Sequence, residues 1–214
     1  MMRGMTKAMA FFMVLAAGVS TASGSEIEEA LKALKEGGAE ARYRAAVRLG
    51  SIGDASAIKP LVETLRDTDH PVRVQAESSL WKIWHRSGDE DADRMLQQGI
   101  RLMNAGDLQS AIKVFTQVIE LDPAFAEGYN KRATALYLAG EYEHSIADCE
   151  ATLALNPYHF GALSGEGLNY IRLDNLPKAL EMFKRTQEIL PYSESNKAYI
   201  ETIEKRLRGK RIEL

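Results

Sequence analysis

The chain is predicted to be all-α, a right-handed solenoid of stacked helix pairs. Pro123, Pro157 and Pro191 stand 34 residues apart, and each closes a copy of one amphipathic pattern. Residues 44–54 and 75–85 repeat another pattern at an offset of 31. Self-similarity at a fixed period of this size marks helical arrays, in which each unit buries its apolar face only against its neighbours.

Aligned on their prolines, the three longer copies span about 92–125, 126–159 and 160–193. Met95, Tyr129 and Leu163 hold the fourth position, and Gly99, Ala133 and Gly167 the eighth, where a facing helix leaves little room. Leu102, Leu136 and Tyr170 hold the eleventh. A break follows at 105–107, 139–141 and 173–175, with residues that suit a helix C-terminus and a new N-cap. The second helix carries Ala111, Ser145 and Ala179 at the twentieth position and Phe115, Cys149 and Phe183 at the twenty-fourth. Alternation of small and large residues lets antiparallel helices pack closely and dock on the next pair. Proline ends the second helix because its ring and missing N–H cannot continue it.

These copies resemble the tetratricopeptide repeat family, most clearly at residues 128–157, GYNKRATALYLAGEYEHSIADCEATLALNP. Departures are few: Met95 and Leu163 replace the usual aromatic, Asp174 replaces a turn glycine, and Pro177 falls in a first helical turn, where proline is tolerated. Residues from about 194 to 208 read as one further amphipathic helix, with Ala198, Ile200, Ile203 and Leu207 apolar, closing the open end of the stack. The resemblance implies a concave inner face lined by the first helix of each pair. There it places the expected partner-binding residues Gln97, Asn104, Asn130, Lys131, Thr134 and Tyr137. Asn130 offers donor and acceptor to an extended backbone, and Tyr137 contact area with a polar tip. Some family members clamp a carboxylate; this chain has Leu96, Ile100, Lys131, Gly161 and Gly165 at the clamp positions, and none matches.

Ahead of the repeats, Arg3 and Lys7 precede an apolar run over 8–19 and the small residues of 20–24. That order reads as a secretory signal peptide over 1–24, its run short for a membrane span. Membrane contact is then expected only if the segment stays uncleaved, and export to a bacterial periplasm is the expected destination. At the offset of 31, Arg42 pairs with Arg73, Ala45 with Ala76, Leu49 with Leu80, and Ile52 with Ile83. About two units of this kind, at 26–84, resemble HEAT repeats of the short bacterial type. They bury little alone and are expected to dock on the following array. Trp81 and Trp84, one turn apart, are expected at that seam. The chain thus divides into a leader (1–24), HEAT-like repeats (25–88), three tetratricopeptide repeats (89–193), and a capping helix with a basic tail (194–214).

Composition sets bounds. With 27 positive and 30 negative side chains the net charge is −3, against the basic face that nucleic-acid binding needs. Cys149 is alone and falls on a core position, so no internal disulfide forms. The four histidines make no ligand pair at helical spacing, and no phosphate loop or nucleophile motif is present. No cofactor, metal, small-molecule substrate or catalysis is therefore expected. The partner is expected to be a protein or peptide, held along the concave face by a non-catalytic adaptor. The alternative is a structural subunit of an envelope assembly, using the convex face or the seam between the arrays.

Overall fold

The computed structural model describes residues 24–212, with side chains through residue 209. The expected leader lies outside the described residues except for Gly24. The described residues form eleven α-helices and no strand: α1 (Gly24–Glu36), α2 (Ala39–Ile52), α3 (Ala55–Thr64), α4 (His70–Trp84), α5 (Glu90–Asn104), α6 (Leu108–Leu121), α7 (Ala126–Ala139), α8 (Tyr142–Leu155), α9 (Phe160–Arg172), α10 (Leu176–Ile189) and α11 (Glu194–Ile212).

From α5 to α11 each helix packs on the next, and α5, α7 and α9 also neighbour one another as an inner row. The local chemistry of the three hairpins is nearly the same. Each second helix begins at the seventeenth position of its copy and ends two residues before the proline, since proline disfavours helical backbone in the residue before it. Asp107 and Asn175 cap α6 and α10 by accepting from Ser110 N and Lys178 N. The fifteenth position turns the chain in the left-handed region in every copy: Gly106 at φ 82°, Gly140 at φ 85°, Asp174 at φ 54°. Aspartate tolerates this backbone better than most residues, so loss of the glycine in copy three leaves the turn intact.

The small eighth position and large twenty-fourth position are one contact. A Cβ on Gly99 would lie 2.4 Å from the Phe115 ring, and one on Gly167 would lie 2.9 Å from Phe183. Copy two solves the same geometry with a smaller pair, Ala133 beside Cys149. At the open end Asn196 donates to Phe183 O at 2.9 Å, and the Tyr199 ring stacks on Phe183 at 4.6 Å. The capping helix therefore extends past the expected boundary at 208.

The first four helices form a second body. α1 packs on α2 and α3, α2 on α4, and α3 on α4. Ser79 Oγ donates to Ala46 O at 2.7 Å, and Gly50 lets α2 and α4 approach there, because an added Cβ would lie 2.6 Å from Ser79 Oγ. The turn before α4 is organised by Asp67, which accepts two bonds from Arg42 at 2.6 and 2.8 Å. That hydrogen-bonded guanidinium holds the Asp67 carboxyl below its ordinary range. Arg73, the offset partner of Arg42, donates to Asp67 O and Thr68 O.

Candidate partner-binding face

The inner row does not present one open groove. The N-terminal ends of α7 and α9 are covered by α4, whereas Asn104 and Tyr137, toward the C-terminal ends of α5 and α7, are exposed and half-exposed. The covering begins with Glu127 in the first turn of α7, 1% exposed. Its Oε2 accepts from Asn130 Nδ2 at 3.1 Å and meets His159 Nε2 at 2.9 Å. His159 is itself fully buried and caps α9, its Nδ1 accepting from Ala162 N at 3.1 Å. With Nδ1 accepting, the ring proton sits on Nε2 and is donated to Glu127. Lys131 Nζ lies 3.0 Å from Glu127 Oε1, and His85 Nε2 reaches the same oxygen from the end of α4 at 3.3 Å. Burial pushes the Glu127 carboxyl up; the hydrogen bond from His159 and the nearby Lys131 ammonium outweigh it, and the net shift is downward. The carboxylate therefore stays charged inside the contact.

Aromatic packing completes the seam. Trp84 stacks on His159 at 4.4 Å and 25°. Trp81 meets Phe160 edge-on at 5.2 Å, and the Lys131 ammonium lies 5.6 Å from the Trp81 ring centre. Gly161 makes the space, since a Cβ there would stand 2.6 Å from the edge of the Trp81 ring. Further along, Arg66 donates to Glu188 O, and the Arg73 guanidinium sits 4.1 Å over the Tyr192 ring. The two tryptophans thus fill the seam between the bodies, as expected. The seam lies across α7 and α9, however, and not at the sequence neighbour α5.

The six expected contact residues separate accordingly. Asn130 is buried and spends its amide on Glu127; Lys131 is half-buried and paired with the same carboxylate. Neither faces open solvent. Gln97, Asn104 and Thr134 are exposed. Gln97 looks across a 580 Å³ cleft at Trp81, Lys82 and His85, whereas Thr134 Oγ1 bonds its own helix at Asn130 O. Tyr137 is half-exposed and held in place: Arg172 Nε donates to its hydroxyl at 3.1 Å, the guanidinium lies 5.6 Å from its ring, and Tyr142 stands 5.7 Å away. Of the unmatched clamp positions, Leu96 is fully buried in the core of the first pair, and Gly161 belongs to the α4 contact. Sequence reasoning left out His159 and Gly161 from the site, although a histidine two residues before a glycine at the start of an inner helix was a visible signal for a close approach.

Among the described residues no group of three His, Cys, Asp or Glu side chains is placed to hold a metal ion, and no helix is long and apolar enough to cross a membrane. Cys149 is a free, buried thiol, which burial pushes far above its ordinary value.

The tetratricopeptide repeat family profile matches residues 96–160. Residues 96–160 are similar to tetratricopeptide repeats. A TPR repeat-containing protein of Rhizobium etli is 28% identical over 146 residues, covering 68% of this chain and 71% of that one. The Sgt2 TPR domain from Aspergillus fumigatus superposes with a TM-score of 0.55 at 22% identity, over 57% of this chain and 83% of that one. The TPR2B domain of yeast Sti1, in its complex with pHsp70, gives 0.52 at 22% identity, over 55% and 99%. At these identities the structures share the TPR helical-repeat fold, and α1–α4 precede the stretch that the family profile matches.

Proposed function

We propose that the protein is a non-catalytic adaptor that holds a protein or peptide segment on the open part of the TPR inner face. The observation that carries this reading is the row of exposed Gln97, Asn104 and Thr134 with half-exposed Tyr137, on consecutive inner helices, the tyrosine ring braced by Arg172. A fixed aromatic flanked by uncharged hydrogen-bonding side chains gives contact area at low entropic cost together with polar selectivity. The complex of the yeast Sti1 domain with pHsp70 motivates the comparison, but the carboxylate-clamp residues are absent here, so the partner is a segment held along its length rather than by its terminus. Export through the leader over 1–24, a periplasmic location, and HEAT-type identity for α1–α4 belong to the same proposal. The alternative of an assembly subunit joined through the seam has less support, because Trp81 and Trp84 are already engaged with His159 and Phe160.

Photocrosslinking from position 137 in cells tests it. One dominant adduct, lost on Thr134→Ala with Asn104→Ala at unchanged helicity, is the expected result. Capture that survives both substitutions and moves to a probe on the convex face overturns the adaptor reading.

A further inference from the structure

The contact made by α4 has the form of a ligand in a site. The receiving surface is built from the starts of two inner helices: a buried carboxylate at Glu127, a cationic stem at Lys131, a stacking imidazole at His159, the cap of α9, and a side-chain-free floor at Gly161. What α4 presents is a short pattern on one helical face. Trp81 lies over Gly161, and one turn later His85 turns Nε2 to Glu127 while its Nδ1 bonds Trp81 O at 2.7 Å. His85 is thus tied to its own helix through Nδ1 and turns Nε2 toward the buried carboxylate oxygen. The connection from α4 to α5 adds little to this contact. It is five residues long, turns through Gly88 at φ 93°, and α4 does not pack along α5. Side chains that cross the gap hold the two bodies together, more than close helix–helix packing does.

We propose that the N-terminal ends of α7 and α9 form a recognition site for a helix face bearing an aromatic ring and an imidazole one turn further on, with α4 as its resident occupant. A partner that reaches this half of the inner face must displace α4, so occupancy of the full groove is coupled to undocking of the first four helices. The inference rests on the inner face being a recognition surface, but its test needs no external client, so the two ideas fail separately.

The probe is this chain's own segment, residues 70–86, as a fluorescein-labelled, end-blocked peptide read by anisotropy against the full protein. A free helix of this length is marginal in water, so the site must order it. Wild type, with its own α4 in place, is expected to give no saturable binding. Trp81→Ala with His85→Ala, which weakens the resident contact and leaves the receiving residues untouched, is expected to bind at least ten-fold more tightly. Adding Gly161→Leu should abolish that gain, as should replacing Trp81 and His85 by alanine in the peptide. A double variant of native helicity that binds no better than wild type overturns the proposal, and so does equal binding by the altered peptide. Should the double variant lose its helicity, Gly161→Leu alone decides. The chain has two tryptophans, both at this contact, and their emission must shift to the red if the site holds α4; unmoved emission refutes it.

Discussion

The two ends of the inner helices differ in what surrounds the same repeat positions. At the start of α7, Asn130 and Lys131 close over Glu127 beneath α4; two turns on, Thr134 and Tyr137 stand in the open. Residues on one face of one helix are therefore internal ligands at one end and free surface at the other. Repeat position decides which way a side chain points; the neighbouring body decides whether anything is left for a partner. Glu127 shows the consequence most sharply, since a charge so deeply buried persists only with its counter-charges and hydrogen bonds in place.

That difference is most readily broken at Glu127. Glu127→Ala leaves Lys131 and His85 facing each other without their anion and His159 without its acceptor. Removal of one partner from a buried charge contact costs about 3–5 kcal/mol, which urea unfolding will read. The pH dependence follows from the lowered carboxyl. Its stabilisation is fully present above the ordinary carboxylate value and is lost as pH falls through the lower folded value. The gap between wild type and Glu127→Ala should therefore narrow as the solution is acidified below about pH 4. A gap that stays constant down to acid-induced unfolding would show that Glu127 is not held as a carboxylate.

A smaller effect is expected from Lys131→Met, which keeps the stem beside Trp81 and removes the ammonium. Glu127 then retains His159 and Asn130, so only one neighbouring charge is lost and the cost is expected to be well below that of Glu127→Ala. A loss as large as that of Glu127→Ala would mean that the lysine, rather than the histidines, holds the carboxylate.

Much of this architecture was legible in the sequence. The period, the closing prolines, the capping helix and the pairing of position eight with position twenty-four are set by contacts within 34 residues, so local pattern carries them. The left-handed turn at Asp174 was marked by the glycines at the same place in the other copies. The capture of half the inner face was not legible. It depends on α4 meeting residues such as Gly161, about 80 places away, and no periodicity reports a contact between two bodies that repeat at different intervals. Asn130 and Lys131 were read as groove residues because the repeat puts them on the inner side. They are on that side, but α4 arrives there first.

The open end sharpens the comparison through the smallest effects. Gln97, Asn104 and Thr134 are exposed, and Thr134 Oγ1 bonds the carbonyl one turn back in its own helix, which contributes little to helix stability. Alanine at each should change unfolding free energy by no more than about 0.5 kcal/mol. Tyr137→Ala loses its contacts with Arg172 and Tyr142 and should cost about 0.5–1.5 kcal/mol. If these changes abolish capture from the inner face at so little stability cost, the open end is a surface kept for something outside the chain. A substitution among the three that costs several kcal/mol would instead mark a second internal contact, and the division between filled and open halves would fall.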